Sequence, residues 1–184
     1  MDGLTPERKK ALVSGPLDKA VLPCTPAGII ELLAHYGVDV RGRDVVVVGK
    51  GELVGFPLSV LLMRLDATVT VLHALTPEEL KLRRVREADI VISAVGRPPE
   101  LYRENPWRLT GDMIKEGAVV VGVGGKMGPD KRWYFDVDEE SVAERASAYT
   151  PNVGGVGLVT RAKIIENLIK TAWAVAERAA SPRL

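Results

Sequence analysis

The sequence predicts an α/β fold with a doubly wound parallel sheet. Three observations predict it. Short β-branched runs alternate with helical stretches along the chain, the pattern of a parallel sheet covered on both faces. One run, Asp44-Val45-Val46-Val47-Val48, is apolar at every position after the first, as a strand buried on both faces requires. A glycine loop, Gly49-Lys50-Gly51-Glu52-Leu53-Val54-Gly55, follows that run directly and opens the next helical stretch.

The elements follow in order. The first twenty or so residues are polar and loosely patterned. Organisation begins at Pro23-Cys24-Thr25-Pro26, where Thr25 suits a helix N-cap and Pro26 the first helical position. Ile29, Ile30, Leu32, Leu33 and Tyr36 recur on a helical stripe, which Gly37 is placed to end in the left-handed conformation. After the Val45–Val48 strand and its loop, Leu58, Leu61, Leu62 and Leu65 mark a helix. Thr68 to Leu72 reads as a second strand, Pro77 to Glu87 as a charged helix, and Asp89 to Ser93 as a third strand. The stretch from Glu100 to Glu116 reads as mostly loop with a short helix. Ala118 to Val121 is a fourth strand, Gly122 to Lys131 a glycine-rich loop, and Ser147 to Thr150 a short fifth strand. A second glycine loop, Val153 to Gly157, leads into a long last helix. There Ala162, Ile165, Leu168, Ile169, Ala172, Trp173 and Ala176 share one apolar face.

Composition narrows the function classes. The 184 residues carry 25 basic and 24 acidic side chains, so no basic surface points to nucleic acid. No apolar run approaches the ~20 residues of a membrane span. The single cysteine, Cys24, cannot form an intrachain disulfide, which suits a reducing cytoplasm. Cys24 reads as a buried small residue rather than a reactive thiol. No Cys/His cluster supports a metal. The acids of Asp136-Val137-Asp138-Glu139-Glu140 lack calcium-loop spacing and read as a solvated helix start.

The glycine loop carries the chemistry. Its spacing is one residue longer than the commonest dinucleotide fingerprint, but the physical needs are the same. A tight turn needs a residue tolerant of positive φ, and a pyrophosphate approaches only backbone that lacks Cβ atoms. Free N–H groups at the helix start then face the anion. The alternative is a plain tight β–α turn. With a strand before it and a helix after it, the loop reads as a Rossmann-like, single cofactor-binding domain. An NAD site places an acid about twenty residues on, beside the ribose. Here the second strand ends in Leu72-His73-Ala74-Leu75-Thr76, and no carboxylate occurs before Glu78. With Lys50 in the loop and His73 at the strand end, this favours NADP, with NAD still possible. His73 as a strand-end residue without a ligand remains the competing reading.

Several blocks resemble the bifunctional methylenetetrahydrofolate dehydrogenase/cyclohydrolase family, in family order and over nearly the whole chain. Pro23-Cys24-Thr25-Pro26-Ala27-Gly28-Ile29 is similar to its P-C-T-P-x-G-I. Gly49-Lys50-Gly51 through Val54-Gly55-Phe56-Pro57 resembles G-R-S-x-x-V-G-x-P. Ala67 through His73 resembles A-T-V-T-x-x-H, and Ala88-Asp89-Ile90 through Gly96-Arg97-Pro98 resembles A-D-I…G-x-P. Thr150-Pro151 through Gly154-Gly155-Val156-Gly157 and Thr160 resembles T-P-x-P-G-G-V-G-P-M-T.

The resemblance implies an oxidoreductase and hydrolase of one-carbon metabolism. Such an enzyme oxidises methylenetetrahydrofolate to the methenyl form and then hydrolyses it. It implies a cofactor site of Gly49, Lys50, Gly51, Val54, Gly55, His73, Ala74, Gly96, Pro98, Gly124, Gly125 and Thr160. It implies a folate side of Asp2, Pro151, Gly154 and Gly155. Residues 1–22 are then expected to be the remnant of a folate-side domain, and 23–184 the NAD(P)-binding domain. The family's Tyr-x-x-x-Lys motif should precede Asp2. None of Tyr36, Tyr102, Tyr134 and Tyr149 has lysine four residues later. Cyclohydrolase activity is therefore expected only with a preceding catalytic domain, and no catalytic residue is assigned in this chain. Within the motifs, Lys50 stands for arginine, Gly51 and Ala74 for serines, Gly122 and Lys126 for Asp and Asn, and Leu158 for proline.

Three functions compete: an NADP-dependent methylenetetrahydrofolate dehydrogenase, a non-catalytic NADP-binding module, and a pterin-linked methylene dehydrogenase. The expected partners are the folate substrate and either a second copy, as a homodimer, or a catalytic domain covering the last helix.

Overall fold

The computed structural model describes residues 2–17, 20–96, 107–128 and 130–180. Five parallel strands form the main sheet: β1 (Asp44–Val48), β2 (Thr68–Leu72), β3 (Ile90–Ser93), β4 (Val119–Gly122) and β7 (Ala148–Tyr149). Their order is β2-β1-β3-β4-β7, so the chain changes direction across the sheet between β1 and β3. In open α/β sheets a ligand crevice forms outside the carboxyl ends of the strands at such a switch point.

Period-two burial explains why β1 reads as uninterrupted valine. Val46 and Val48 pack with Leu72, Val85, Val91 and Val120 on one face. Val45 and Val47 pack with Ile29, Leu33, Leu58 and Leu62 on the other. The helices on the second face are α2 (Cys24–His35) and α3 (Gly55–Arg64). On the first face lie α4 (Glu78–Glu87) and the short α5 (Glu139–Ala143). Removing the apolar surface of both faces from water at ~25 cal/mol per Å² is what holds the sheet between its helices.

Several local expectations need correction. The N-terminal stretch is not loosely patterned: Pro6–Ser14 forms α1, with the Thr5 hydroxyl accepting from Arg8 N–H. Its Leu12 is buried, and Arg64 of α3 closes its end by donating to the Leu12 and Gly15 carbonyls at 2.8 and 2.7 Å. Thr25 is not the cap of α2. The helix starts two residues earlier than expected, at Cys24 after Pro23, without a side-chain cap. Tyr36 is 72% exposed rather than part of the stripe, because the helix ends before it, and Gly37 follows at φ 72°. The glycine-rich stretch after β4 is not all loop. It carries a two-stranded antiparallel hairpin, β5 (Gly125–Met127) with β6 (Trp133–Phe135). Of the segment read as loop with a short helix, residues 100–106 lie outside the described residues. The rest contains a 3-10 turn, Gly111–Met113, and a buried Trp107.

The last helix is α6 (Val156–Ala180). It lies along α2 with a polar stripe inward. The Thr160 hydroxyl meets Thr25 Oγ1 at 3.2 Å, Lys163 pairs with Glu31, and Asn167 Nδ2 donates to Leu22 O at 2.8 Å. The apolar face, with Ile165, Leu168, Ile169 and Trp173, is exposed. No described helix is long and apolar enough to cross a membrane.

One ion pair at the amino end of the central strand makes stability depend on pH. Asp89 precedes β3. Its carboxylate receives Lys115 Nζ at 2.5 Å and Asp44 N–H at 2.9 Å. The lysine bond first, then the backbone bond, hold its pKa below the usual range. A lowered pKa adds stability above the unfolded value of about 3.9 and loses it as pH falls through the folded value. Asp89→Asn is expected to lower stability at neutral pH by up to about 1 kcal/mol. Thermal melts should show the difference closing as the solution is acidified through that range; a pH-independent difference refutes the linkage.

Candidate functional site

The loop after β1 is shaped by backbone contacts. Gly49 N–H donates to Leu72 O at 2.8 Å, tying the loop to the end of β2. Gly49 adopts φ 111°, a region that L side chains rarely enter. A Cβ there would lie 2.4 Å from the Ala94 carbonyl oxygen, and one at Gly55 would lie 2.0 Å from the Gly49 carbonyl oxygen. Both glycines are therefore demanded by close approach, and Gly55 begins α3. Gly51 faces open space. The result is a strand, a turn held by two glycines at close backbone contacts, and a helix start where Phe56 N–H donates to Gly51 O at 3.0 Å and the Gly55 N–H has no partner within the helix. This cradle fits the pyrophosphate of a dinucleotide.

A cavity of about 230 Å³ opens beside it, lined among others by Gly49, Lys50, Gly51, His73 and Ala74. Five of the residues expected at the cofactor are thus brought together. His73 Nδ1 accepts from Leu75 N–H at 3.2 Å. Val54, Gly124, Gly125 and Thr160 line a second cavity, of about 350 Å³, with Thr25, Trp133 and Phe135. Gly96 follows Val95, which lines the first cavity, but does not itself line it, and Pro98 lies outside the described residues. The expected folate-side residues do not converge. Pro151, Gly154 and Gly155 line a separate groove with Leu32, Tyr36 and Val119. Asp2 is exposed and receives Leu4 N–H at 3.2 Å.

Two residues of the site escaped the reading of the sequence. Asp136, which sequence spacing places in a solvated acidic run, is fully buried. Its carboxylate accepts from Val95 N–H at 2.7 Å and Gly96 N–H at 3.1 Å, and Ser93 Oγ lies 3.5 Å away. A Cβ on Gly124 would meet the same carboxylate at 1.7 Å. One side chain thus joins the loops after β3 and β4, each bordering one of the two cavities. Its position inside the apolar run Trp133 to Val137 was the available signal. Lys81 is the second. It is buried on α4 in line with Val85 and Ala88, where apolar spacing leads one to expect an aliphatic residue. It lines the 230 Å³ cavity.

Cys24 is buried, as its surroundings in the sequence suggested. Burial pushes its thiol pKa up, against a hydrogen bond from Asn167 Nδ2 at 3.3 Å. Thiolate is the reactive form. Native protein at neutral pH is therefore expected to resist maleimide labelling, and denatured protein to label at once; rapid native labelling refutes this. Among the described residues no cluster of His, Cys, Asp and Glu could hold a metal ion.

Comparison with known proteins adds three findings. The family model described as "Tetrahydrofolate dehydrogenase/cyclohydrolase, NAD(P)-binding domain" matches residues 23–176. The bifunctional protein FolD of Pyrobaculum islandicum is 70% identical over 186 aligned residues, covering 100% of this chain and 59% of that protein. Two crystal structures share the fold. One is the bifunctional FolD methylenetetrahydrofolate dehydrogenase/cyclohydrolase of Campylobacter jejuni, with TM-score 0.83 and 37% identity over 94% of this chain and 57% of that one. The other is the Trypanosoma brucei enzyme complexed with NADP and an inhibitor, with TM-score 0.78 and 36% identity over 92% and 56%. The chain therefore spans less than two thirds of the length of each of these relatives.

Proposed function

The chain belongs to the tetrahydrofolate dehydrogenase/cyclohydrolase family and carries its NAD(P)-binding domain, and on that footing we propose that it binds NADP in preference to NAD as the cofactor part of a cytoplasmic methylenetetrahydrofolate dehydrogenase. The observation that carries the preference is the end of β2. Among the described residues that line this cavity none carries a carboxylate to accept from a ribose 2′-hydroxyl, while Lys50, His73 and Lys81 do line it. A 2′-phosphate is the group such a wall suits.

In this reading Gly49 and Gly51 let the pyrophosphate approach the backbone. Val54 and Gly55 present the N–H groups of the first turn of α3. His73 and Ala74 sit at the ribose, and Gly96 follows Val95 of the same cavity; Pro98, assigned to the cofactor by the motif, lies outside the described residues. Gly124, Gly125 and Thr160 border the nicotinamide end. Pro151, Gly154 and Gly155, which share one groove, are assigned to the folate, and Asp2 to the folate-side portion. The bound nicotinamide supplies the hydride acceptor. The chain's own residues hold it in position, which is what hydride transfer asks of a protein. Residues 1–22 belong to the folate-side portion and 23–184 to the cofactor domain. Hydrolysis of the methenyl product needs the catalytic domain with its Tyr-x-x-x-Lys motif.

A second reading, an NADP-binding module that acts only with a partner, is favoured by the exposed face of α6. Ile165, Leu168, Ile169 and Trp173 form a patch of a kind that marks interaction surfaces. Either a catalytic domain or a second copy covers it. Calorimetry with NADP and NAD tests the preference, and tighter NAD binding overturns it. An NADP-dependent absorbance change with methylenetetrahydrofolate separates the enzyme from the module. A monomer mass in light scattering excludes the homodimer.

A further inference from the structure

We propose that Lys81, a residue of α4 outside the glycine loop, is the main selectivity determinant for the 2′-phosphate of the cofactor. The inference rests on the NADP reading above and deepens it. Three cationic or polar side chains border the cavity at the end of β2: Lys50, His73 and Lys81. They differ in what they can do. Lys50 is exposed, where water and salt screen its charge. His73 already uses Nδ1 to accept from Leu75 N–H, so it has only Nε2 to turn to a ligand. Ala74 has no polar atom.

Lys81 is different in kind. Its side chain is only 9% exposed, so its charge acts through a medium of lower effective dielectric than Lys50's does. The site around it is built. Glu78 Oε2 lies 3.2 Å from Nζ, and the Trp107 ring centroid lies 6.0 Å from it. Trp107 is fixed in turn by its Nε1–H donating to Ser93 Oγ at 3.2 Å. An ammonium has three donors, and Glu78 engages one of them. Glu78 itself is 53% exposed, so its carboxylate can turn to water when an anion enters. Burying a lysine in line with Val85 and Ala88 is costly without a compensating anion. A half-exposed glutamate offsets that cost in part, and a phosphate in the adjoining cavity completes it.

The experiment is calorimetric titration of the full chain with NADP, NAD, 2′-AMP and 5′-AMP. The parent protein, Lys81→Met, Lys81→Arg and Glu78→Gln are compared. Methionine keeps the length of the side chain in an apolar setting, and a thermal melt of each variant shows that it is folded. Lys81→Met is expected to weaken NADP and 2′-AMP about tenfold, the scale of one hydrogen bond to a charged group. NAD and 5′-AMP should change less than about twofold by the same reasoning. Lys81→Arg restores part of the selectivity. Glu78→Gln, which frees the ammonium, tightens NADP and leaves NAD unchanged. A parent that prefers NADP together with a Lys81→Met variant that keeps the same ratio overturns the role of Lys81 alone. Equal loss for all four ligands also overturns it, since it marks Lys81 as a wall of the adenosine pocket. A parent without NADP preference overturns both this inference and the reading it rests on.

Discussion

Asp136→Ala is expected to lower the unfolding free energy by about 3 kcal/mol, since each buried donor left without its acceptor costs roughly 1–3 kcal/mol. The carboxylate receives the N–H groups of Val95 and Gly96 and sits against Gly124. Alanine removes the acceptor and leaves a void that water enters poorly between β3 and the hairpin. Asp136→Asn keeps one accepting oxygen and is expected to lose about half as much. Cofactor binding should fall with stability, because Val95 lines one cavity and Gly124 the other. Urea unfolding by circular dichroism measures the first effect and NADP titration the second. A midpoint for Asp136→Ala equal to that of the parent protein disproves the clamp.

Gly55→Ala should be comparably severe, at about 3 kcal/mol, near the upper end for forcing a methyl into filled space. The contact at 2.0 Å is with a backbone carbonyl, which cannot rotate away as a side chain does. Either α3 withdraws from the loop or Gly49 gives up its conformation, and each opens the pyrophosphate cradle. NADP affinity is expected to drop more than tenfold. Gly51→Ala is the control. Its Cβ meets nothing within 4 Å, so its midpoint should stay within about 0.5 kcal/mol of the parent's. If the two substitutions behave alike, the close approach at Gly55 is not what the loop depends on.

The contrast between these two sites separates what the sequence states locally from what it does not. The cradle is a matter of neighbouring residues. A strand, a positive-φ turn and a helix start occupy one continuous segment, and each requirement falls on a residue type that is visible in order. The Asp136 clamp joins positions 41 residues apart, and nothing adjacent to Asp136 names Val95 as its partner. The hairpin of β5 and β6 is not legible in the sequence for a similar reason. Gly125–Met127 and Trp133–Phe135 are three residues each, too short for periodicity to register.

The last helix shows the same division. Its apolar stripe is legible in the sequence, but periodicity does not say which face meets α2. Thr160, Lys163 and Asn167 have hydrogen-bonding or ionic partners at Thr25, Glu31 and Leu22, so the polar face turned inward and the apolar one was left outside. By itself, then, the sequence determined the parallel α/β sheet, the glycine cradle after β1 and the family, because strand burial, turn conformation and motif order are local properties of the chain. Only the tertiary structure decided that Lys81 and Asp136 belong to the site and that α6 keeps its apolar face exposed. Those facts depend on which distant groups satisfy a buried charge or a free N–H, and that pairing exists only once the chain has folded.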